Sequence, residues 1–528
     1  MTSYKPDPQK AKGLYSAWQT ERAQYLTRAH ECAKLTIPSI MPSDADQTKR
    51  NQDMNLEQPW QSIGSSGVNT LTAKLVMTTF PSNSPFFQLV MGRKERQELL
   101  QLEGEEAEAF KAQIDAKMQS MEQDILESME LSTLRTNLFS AVKHLLVAGN
   151  YCLYLGDDIK GFKLNQYVCR RDTAGNLMKL VVRELVDPKA LPDGFLESVK
   201  LVNPDRVNAT QETDIEIYTV LERTSRTKWT SWQEVYDTEV PGTRGTFTDA
   251  NNPWIVLRMI QVEGEDYGRA YCEELFGDLM SAEELTKSIV QGGMIASKLL
   301  WLVNPNGTTD EDDLQEAANG DFVPGRIDDV AALRSDKQGD FTLAERVLVA
   351  VVGRLERAFL MTASAQRQGE RVTAYEISIM SQEIEDTLGG YYSILSQELQ
   401  LPIVRRWMFK MQKAGELPKL PAGSISPKVI TGVDALGRGQ DLNRLRGFIQ
   451  DLIQLAAVKP EMLGRLKDAE ILQRLANGHS VALAGLLKSD EEIAQEQQQA
   501  QQQQMMQEAV SKGVGPMAAA AAKGQPPQ

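Results

Sequence analysis

Hydrophobic positions keep a helical spacing towards both ends of this chain and shift to alternation in its middle. Leu14, Ala17, Trp18, Tyr25, Ala29 and Cys32 recur near helical intervals and predict a helix over residues 8–35. The two prolines of "IPSIMPSD" oppose its continuation. A second helix is expected to begin at Pro59, a residue suited to a first turn, and to stop at Pro81. A charged helix over 93–130 and another over 132–148 follow, with Gly149-Asn150 as a left-handed cap before the strand-like "YCLYL". Between Phe162 and Met259 the period falls towards two. "LVVREL", "IEIYTVLE" and "PWIVLRMIQV" read as strands separated by turn-rich stretches.

Helical spacing returns over 268–300, again over 343–361, and from Thr373 almost to Lys413. Residues 301–342 hold short elements rich in Asn, Gly and Asp, and a Pro/Gly-rich linker at 415–427 precedes a helical block at about 440–488. Thr373 and Glu376 make a capping box for the helix that carries Ile377, Met380, Ile384, Leu388, Tyr391, Leu395 and Leu399 near one face. Gly389 and Gly390 sit in its middle, at a cost of about 1–2 kcal/mol relative to two alanines. Such a pair is a recognised cause of a kink. It reads either as close packing or as a bend between two lobes. The Gln-rich tail has one further cap signal, Ser489 with Glu492, and disorder is expected beyond Lys512.

At 528 residues the chain exceeds one compact core, so two or more lobes are expected. A hydrophobic content of 41% with mean hydropathy of -0.36 describes a globular chain, and 6% aromatics suit long helices. The formal charge of -15 opposes simple phosphate-gripping by a monomer, yet permits a protein that surrounds DNA without holding it. Cys32, Cys152, Cys169 and Cys272 lie far apart with no CxxC pair, which points to a reducing compartment and away from a zinc site. "MTSYKPDPQKAKG" lacks the apolar core of a signal peptide. "VLVAVV" falls far short of the ~20 residues that span a bilayer. The expectation is a cytoplasmic chain with no membrane partner.

Catalytic chemistry finds little support. His30, His144 and His479 form no metal or triad spacing, and His144, in "FSAVKHLLVAG", reads as a partly buried structural residue. No GxxxxGK[ST] phosphate loop occurs, and "GRGQDL" at 437–442 reads as a turn into a helix. No catalytic residue, metal or cofactor is expected. "NGTTDEDDLQEAANG" at 306–320 resembles a calcium loop but places its glycine too early; a short helix capped by Thr309 and closed by Gly320 accounts for it. Residues 301–342 carry ten acids against three bases, a net of -7, which is either a solvated face or a docking surface. The small, polar "TASAQRQGER" reads as a mobile loop, and its Arg367 and Arg371 as surface arginines on composition alone.

"QRQGERVTAYEI", "EDTLGGYYSILSQELQLPIV" and "GRGQDL" together closely resemble the portal, or head-to-tail connector, of short-tailed bacteriophages of the autographivirus type. "PWQSIGSSGVNTLTAKL", "VAGNYCLYL", "DYGRAY" and "NGDFVPGR" fit the same pattern in the same order, over about residues 10–475. The resemblance implies an α+β, mainly helical portal fold. Its parts would be a wing at 1–276 with a strand-rich region at 162–259, stem helices at 277–300 and 343–361, and a clip at 301–342. A tunnel loop would follow at 362–372, then the long kinked helix and return to the wing at 373–436, a crown at 437–488 and a largely disordered tail at 489–528.

The family implies a ring at one capsid vertex, normally of twelve subunits, serving DNA packaging and ejection in the virion after assembly in the host cytoplasm. The implied DNA-facing residues are Gln366, Arg367, Gln368, Gly369, Glu370 and Arg371, with the helix kink at Gly389 and Gly390. The implied partner-docking residues are Asp310, Glu311, Asp312, Asp313, Glu316, Asp321, Arg326, Asp328 and Asp329. Implied partners are further copies of the chain, double-stranded DNA, the terminase large subunit and tail adaptor or nozzle proteins. Major capsid and scaffolding proteins, and internal core proteins at the crown, complete the set. The alternative is a purely structural head–tail scaffold ring with no direct DNA gating. A nuclease or motor subunit is opposed by the missing phosphate loop and metal cluster, and a membrane-associated ring by the lack of a spanning segment.

Overall fold

The computed structural model describes residues 7–42, 56–81, 86–92, 105–187, 214–296, 300–333, 338–361, 395–418 and 425–429, with single positions at 94, 97, 189, 191, 192, 194 and 195. All lie in the unit formed by residues 1–435. The first helix, α1 (Ala11–Leu35), buries Tyr15, Arg22, Tyr25, Ala29 and Cys32 along one side. Its N-cap, Lys10, offers no side-chain bond. Instead Glu234, 223 positions away, accepts the Ala11 amide at 2.9 Å, so a distant carboxylate satisfies one of the helix's orphan donors. Helix α2 (Ile63–Thr79) starts four residues later than Pro59 suggests. The Trp60 and Gln61 amides donate to the Glu283 carboxylate at 2.9 and 3.2 Å, and the Gly64 amide to the Gln61 side chain at 2.8 Å. Those contacts hold the preceding residues outside the helix.

Strand β1 (Phe87–Met91), helix α3 (Glu105–Glu130) and helix α4 (Leu134–Ala148) follow. Gly149 ends α4 with φ of 71°, the left-handed cap expected there, its amide bonded to Leu145 O at 3.0 Å. A Cβ at this position would lie 2.5 Å from the Arg269 carbonyl carbon, so glycine is needed for space as well as for φ. Asn150 does not share the cap but opens the next strand. Its side chain clamps Gly268, accepting from the amide at 2.7 Å and donating to the carbonyl at 2.7 Å.

The alternating region forms two antiparallel sheets. The first joins β2 (Asn150–Leu155), β3 (Ile159–Lys163) and β10 (Trp254–Arg258) in the order β10-β2-β3. The second orders β4 (Tyr167–Arg171), β5 (Leu177–Val186), β6 (Ile215–Ser225), β7 (Lys228–Val235) and β8 (Thr238–Glu239), with β9 (Gly245–Thr248) also pairing β7. Register pairs Val182 with Thr219 and Val220 with Trp232. One face of this sheet receives α1, where Ala11 and Tyr15 pack with Val168, Val181, Tyr218 and Val220. Fully buried Arg22 donates to Tyr167 O at 2.7 Å and to the Tyr15 hydroxyl at 3.0 Å, tying helix to sheet. The four cysteines are all buried and unbridged, and burial pushes the Cys32 thiol up to about 12 and the Cys169 thiol up to about 11.

A short turn, α5 (Tyr271–Glu274), leads into α6 (Phe276–Ala296). Next come β11 (Leu300–Val303), the one-turn helix α7 (Glu311–Glu316), β12 (Val330–Leu333) and α8 (Gln338–Ala358). Strands β11 and β12 pair antiparallel. Helix α8 begins at Gln338, ahead of the apolar spacing that suggests 343. A π-turn at Ser396–Gln400 runs into α9 (Leu401–Ala414), ended by Gly415 in the left-handed region. Pro402 stands in the first turn of α9, where a missing N–H costs least. Part of the expected linker is instead β13 (Ile425–Val429), which pairs antiparallel with β1, Phe87 opposite Val429. Pro427 is tolerated because, among the described residues, β13 pairs with β1 alone and its other edge needs no ladder donor. The main core unites α1, α2, α4, the first sheet, α9, the start of α6 and the end of α8. The start of the 373–413 helix, the glycine pair, the 437–488 block and the tail lie outside the described residues.

Candidate functional site

Helices α6 and α8 each have 21 residues, about 30 Å of length. They run antiparallel, since Asp278 near the start of α6 meets Arg354 near the end of α8, and Gly292 meets Phe341 at the opposite end. The Arg354 guanidinium bonds Asp278 through two nitrogens, at 2.6 and 3.1 Å, and holds that carboxyl below its usual range. Only the inner halves are rooted: Leu279 and Ala282 of α6, and Val351 and Leu355 of α8, are buried in the core. Elsewhere along the two helices apolar side chains remain uncovered. Ile295 is 66% exposed, Val349 65% and Leu343 64%, and Val290, Met294 and Val347 are exposed beside them.

The segment joining these helices carries the acidic run. Asp310 caps α7, its side chain accepting the Asp312 amide at 3.1 Å. Thr309, the expected cap, is turned inward: its hydroxyl donates to Asp329 at 3.1 Å and accepts the Arg326 amide at 2.9 Å. Gly320 does not close α7, which ends at Glu316. Asp329 is the hub, buried, with the Thr308 amide at 2.9 Å, and these bonds hold its carboxyl below the ordinary range. Asp310, Glu311, Asp312, Asp313, Glu316, Asp321, Arg326 and Asp328 are all exposed. Among them stand two apolar side chains that charge counting overlooks, Phe322 and Ile327, essentially uncovered. Their only sequence signal is a hydrophobe inside an acidic, loop-rich stretch.

A second locus lies at the end of α8, just before residue 362. The Leu360 amide bonds Arg357 O at 3.1 Å and the Met361 amide bonds Glu356 O at 2.7 Å, a Schellman closure. Leu360 has φ of 55° where such closures favour glycine, and the strain is held by its surroundings. Lys74 of α2 donates to the Leu360 carbonyl at 2.7 Å, and Tyr271 to the Ala358 carbonyl at 2.8 Å. Phe359, fully buried, lies against Gly67. The described chain resumes at 395, and the Gln400 side-chain amide donates to Thr79 O of the same helix α2. Glu398 there takes the nearly buried Arg258 at 3.1 Å and Gln261 at 2.5 Å. Leu360 and Gln400, the described residues bonded on either side, are thus both tied to α2. Gln366, Arg367, Gln368, Gly369, Glu370, Arg371, Gly389 and Gly390 lie outside the described residues.

Among the described residues no group of three or more His, Cys, Asp or Glu is placed to hold a metal ion, and no helix is long and apolar enough to cross a membrane. His144 is buried and stacked on Tyr151, 4.9 Å between ring centroids. Burial, with the Lys163 charge added, lowers its pKa to about 3.

The family model described as bacteriophage head to tail connecting protein matches residues 8–484. The chain is 37% identical over 525 residues to the portal protein of Escherichia phage T7, covering 98% of this chain and 94% of that relative. Identity to the portal protein of Enterobacteria phage T3 is 37% over 488 residues, 91% of this chain and 89% of the relative. The portal protein of Pseudomonas phage phiKMV is 29% identical over 476 residues, 89% and 90% of the two chains.

Proposed function

Because the chain belongs to the bacteriophage head to tail connecting proteins, the portal proteins, we propose that its copies close into a ring at one capsid vertex, through whose channel DNA is packaged and ejected. As a portal protein it is a structural connector, not an enzyme. The observation that carries the ring reading is the set of uncovered apolar side chains on the α6/α8 pair. A lone protomer leaves Val290, Met294, Ile295, Leu343, Val347 and Val349 in water on two adjacent helices, which at about 25 cal/mol per Å² favours burial against a neighbour. A heterologous contact repeated around an axis covers apolar positions on both sides of every subunit and closes without loose ends. In this reading α6 and α8 are the stem and residues 300–333 the clip.

The clip's exposed acids, with Phe322 and Ile327 among them, suit partners that present basic rims around apolar pockets. Terminase during packaging and tail adaptor proteins afterwards are the partners proposed for it. Asp329 takes the role of holding the clip loop to itself, since its carboxylate is already engaged with Thr308 and Thr309. The segment after Met361 is proposed as the tunnel loop, with Arg367 and Arg371 facing DNA. The strained, doubly held Leu360 and the Gln400–Thr79 contact support this, because they give that segment rigid footings. Sparse arginines on an otherwise acidic ring permit DNA to slide while touching it at one level.

Leu343→Glu combined with Val349→Glu tests the carrying observation. Sedimentation should show loss of the ring with an unchanged protomer melt, because both positions are exposed in the protomer. Rings that form normally with both substitutions would remove the stem as the assembly surface.

A further inference from the structure

The segment between α6 and α8 holds two Asn-Gly dipeptides, Asn306-Gly307 and Asn319-Gly320. In such a pair the glycine amide nitrogen can attack the asparagine side-chain carbonyl, because no side chain blocks the approach. A bond forms from the glycine nitrogen to the asparagine Cγ, the nitrogen's proton is lost to water, and the side-chain amide leaves as ammonia. The resulting succinimide takes up one water and opens to aspartate or isoaspartate. No reactant beyond water is needed. What the step does require is a glycine N–H free of an acceptor and room for the ring to close.

The two sites differ in both respects. The Gly307 amide donates to Asn304 O at 2.9 Å, and the Asn306 amide to the Asn304 side chain at 3.1 Å. Gly307 also lies against the Asp329 carboxylate, where a Cβ would come within 2.5 Å of its Cγ. In that turn the glycine N–H is therefore already bonded and Gly307 rests on the Asp329 carboxylate, although Asn306 is itself exposed. Around Asn319 the bonds fall on the flanking residues instead. The Asp321 amide donates to Ala318 O at 3.1 Å, and the Ala318 amide to the Asp321 carboxylate at 2.7 Å. Among the described residues nothing accepts the Gly320 amide. Gly320 sits third in this four-residue turn with φ of 104°, as a type II turn prefers, and a Cβ there would meet nothing within 4 Å. Asn319 and Gly320 are both exposed.

We propose that Asn319 is a site of spontaneous deamidation, and that the fold protects Asn306. Conversion replaces a neutral amide with a carboxylate two residues from Asp321, adding to an already acidic surface. In the isoaspartate form the main chain gains a methylene inside the turn, which pulls apart the Ala318–Asp321 bond and redirects Phe322. The chemistry stands apart from the docking role proposed for this module, whereas a change in partner binding rests on that role.

The test is a time course on the purified full-length protein at mildly alkaline pH, followed by peptide mass mapping and enzymatic isoaspartate labelling. Asn319 should convert about fivefold or more faster than Asn306, the rate equivalent of one net backbone hydrogen bond. Asn319→Gln should remove the label from that peptide. In denaturant the two rates should converge, since the fold's protection is gone. Equal rates in the folded protein, faster conversion of Asn306, or the same ratio in denaturant would overturn the proposal. Partner binding measured before and after conversion reads the docking role separately: unchanged binding would count against that role and leave the assignment of Asn319 intact.

Discussion

Gly67→Ala is the substitution whose sign most sharply separates packing from propensity. Position 67 lies inside α2, where exchanging glycine for alanine ordinarily gains about 1 kcal/mol. Here a Cβ would stand 2.5 Å from both Cγ and Cδ2 of Phe359 and 3.0 Å from its Cβ. Carbon atoms prefer about 3.5–4.0 Å. The ring cannot swing aside, because Phe359 is fully buried and the next residue is the strained, Lys74-bonded Leu360. Overpacking of this kind costs about 1–3 kcal/mol, which exceeds the propensity gain, so a net loss of about 1 kcal/mol is expected. Phe359→Ala alone should cost about 3–5 kcal/mol. It also makes room for the methyl group, so adding Gly67→Ala in that background should stabilise. The double-mutant cycle, read from denaturant midpoints, should give a coupling of about 2 kcal/mol. Stabilisation by Gly67→Ala in the wild-type background, or the same sign in both, would refute the close Gly67–Phe359 approach.

Glu234→Ala should destabilise by about 2–4 kcal/mol in a melt, because two charge-assisted bonds, to the Ala11 amide and the Trp232 indole, vanish from a buried position. His144, with its folded pKa lowered to about 3 against an ordinary 6.5, contributes stability that is complete above about 6.5 and lost as pH falls towards 3. Its limiting slope is about 1.4 kcal/mol per pH unit, and His144→Phe should flatten that part of the acid limb in pH-dependent melts. Arg367→Glu with Arg371→Glu should leave the ring assembled while impairing DNA packaging or retention. Particles that package and retain DNA normally would end the DNA-facing role of that loop.

Local rules carried much of the fold, and distant partners account for most of the departures. "IEIYTVLE" became part of β6 because branched and aromatic residues at alternate positions had a face to bury, and α4 ended at Gly149 because only glycine suits the left-handed closure there. The start of α2 was not legible from Pro59, since a carboxylate on α6 decides it. The same holds for the N-terminus of α1, capped from β7. Strand β13 was hidden in a stretch that composition marks as linker, because its partner β1 lies some 340 positions earlier. In the acidic segment the charge was plain, but Thr309 and Asp329 turning inward was not. A threonine before a run of acids looks like a cap until Asp329 competes for its hydroxyl. The uncovered apolar positions of α6 and α8 needed the tertiary structure, as apolar spacing alone cannot distinguish a buried face from an exposed one.

Electron microscopy of the purified protein, viewed down the ring axis, tests most directly whether many copies of this chain enclose a channel. Class averages should show a closed ring with a central hole wide enough for duplex DNA, the α6/α8 stems packed around it and the acidic segments projecting from one end. A compact dimer without a channel would contradict the account.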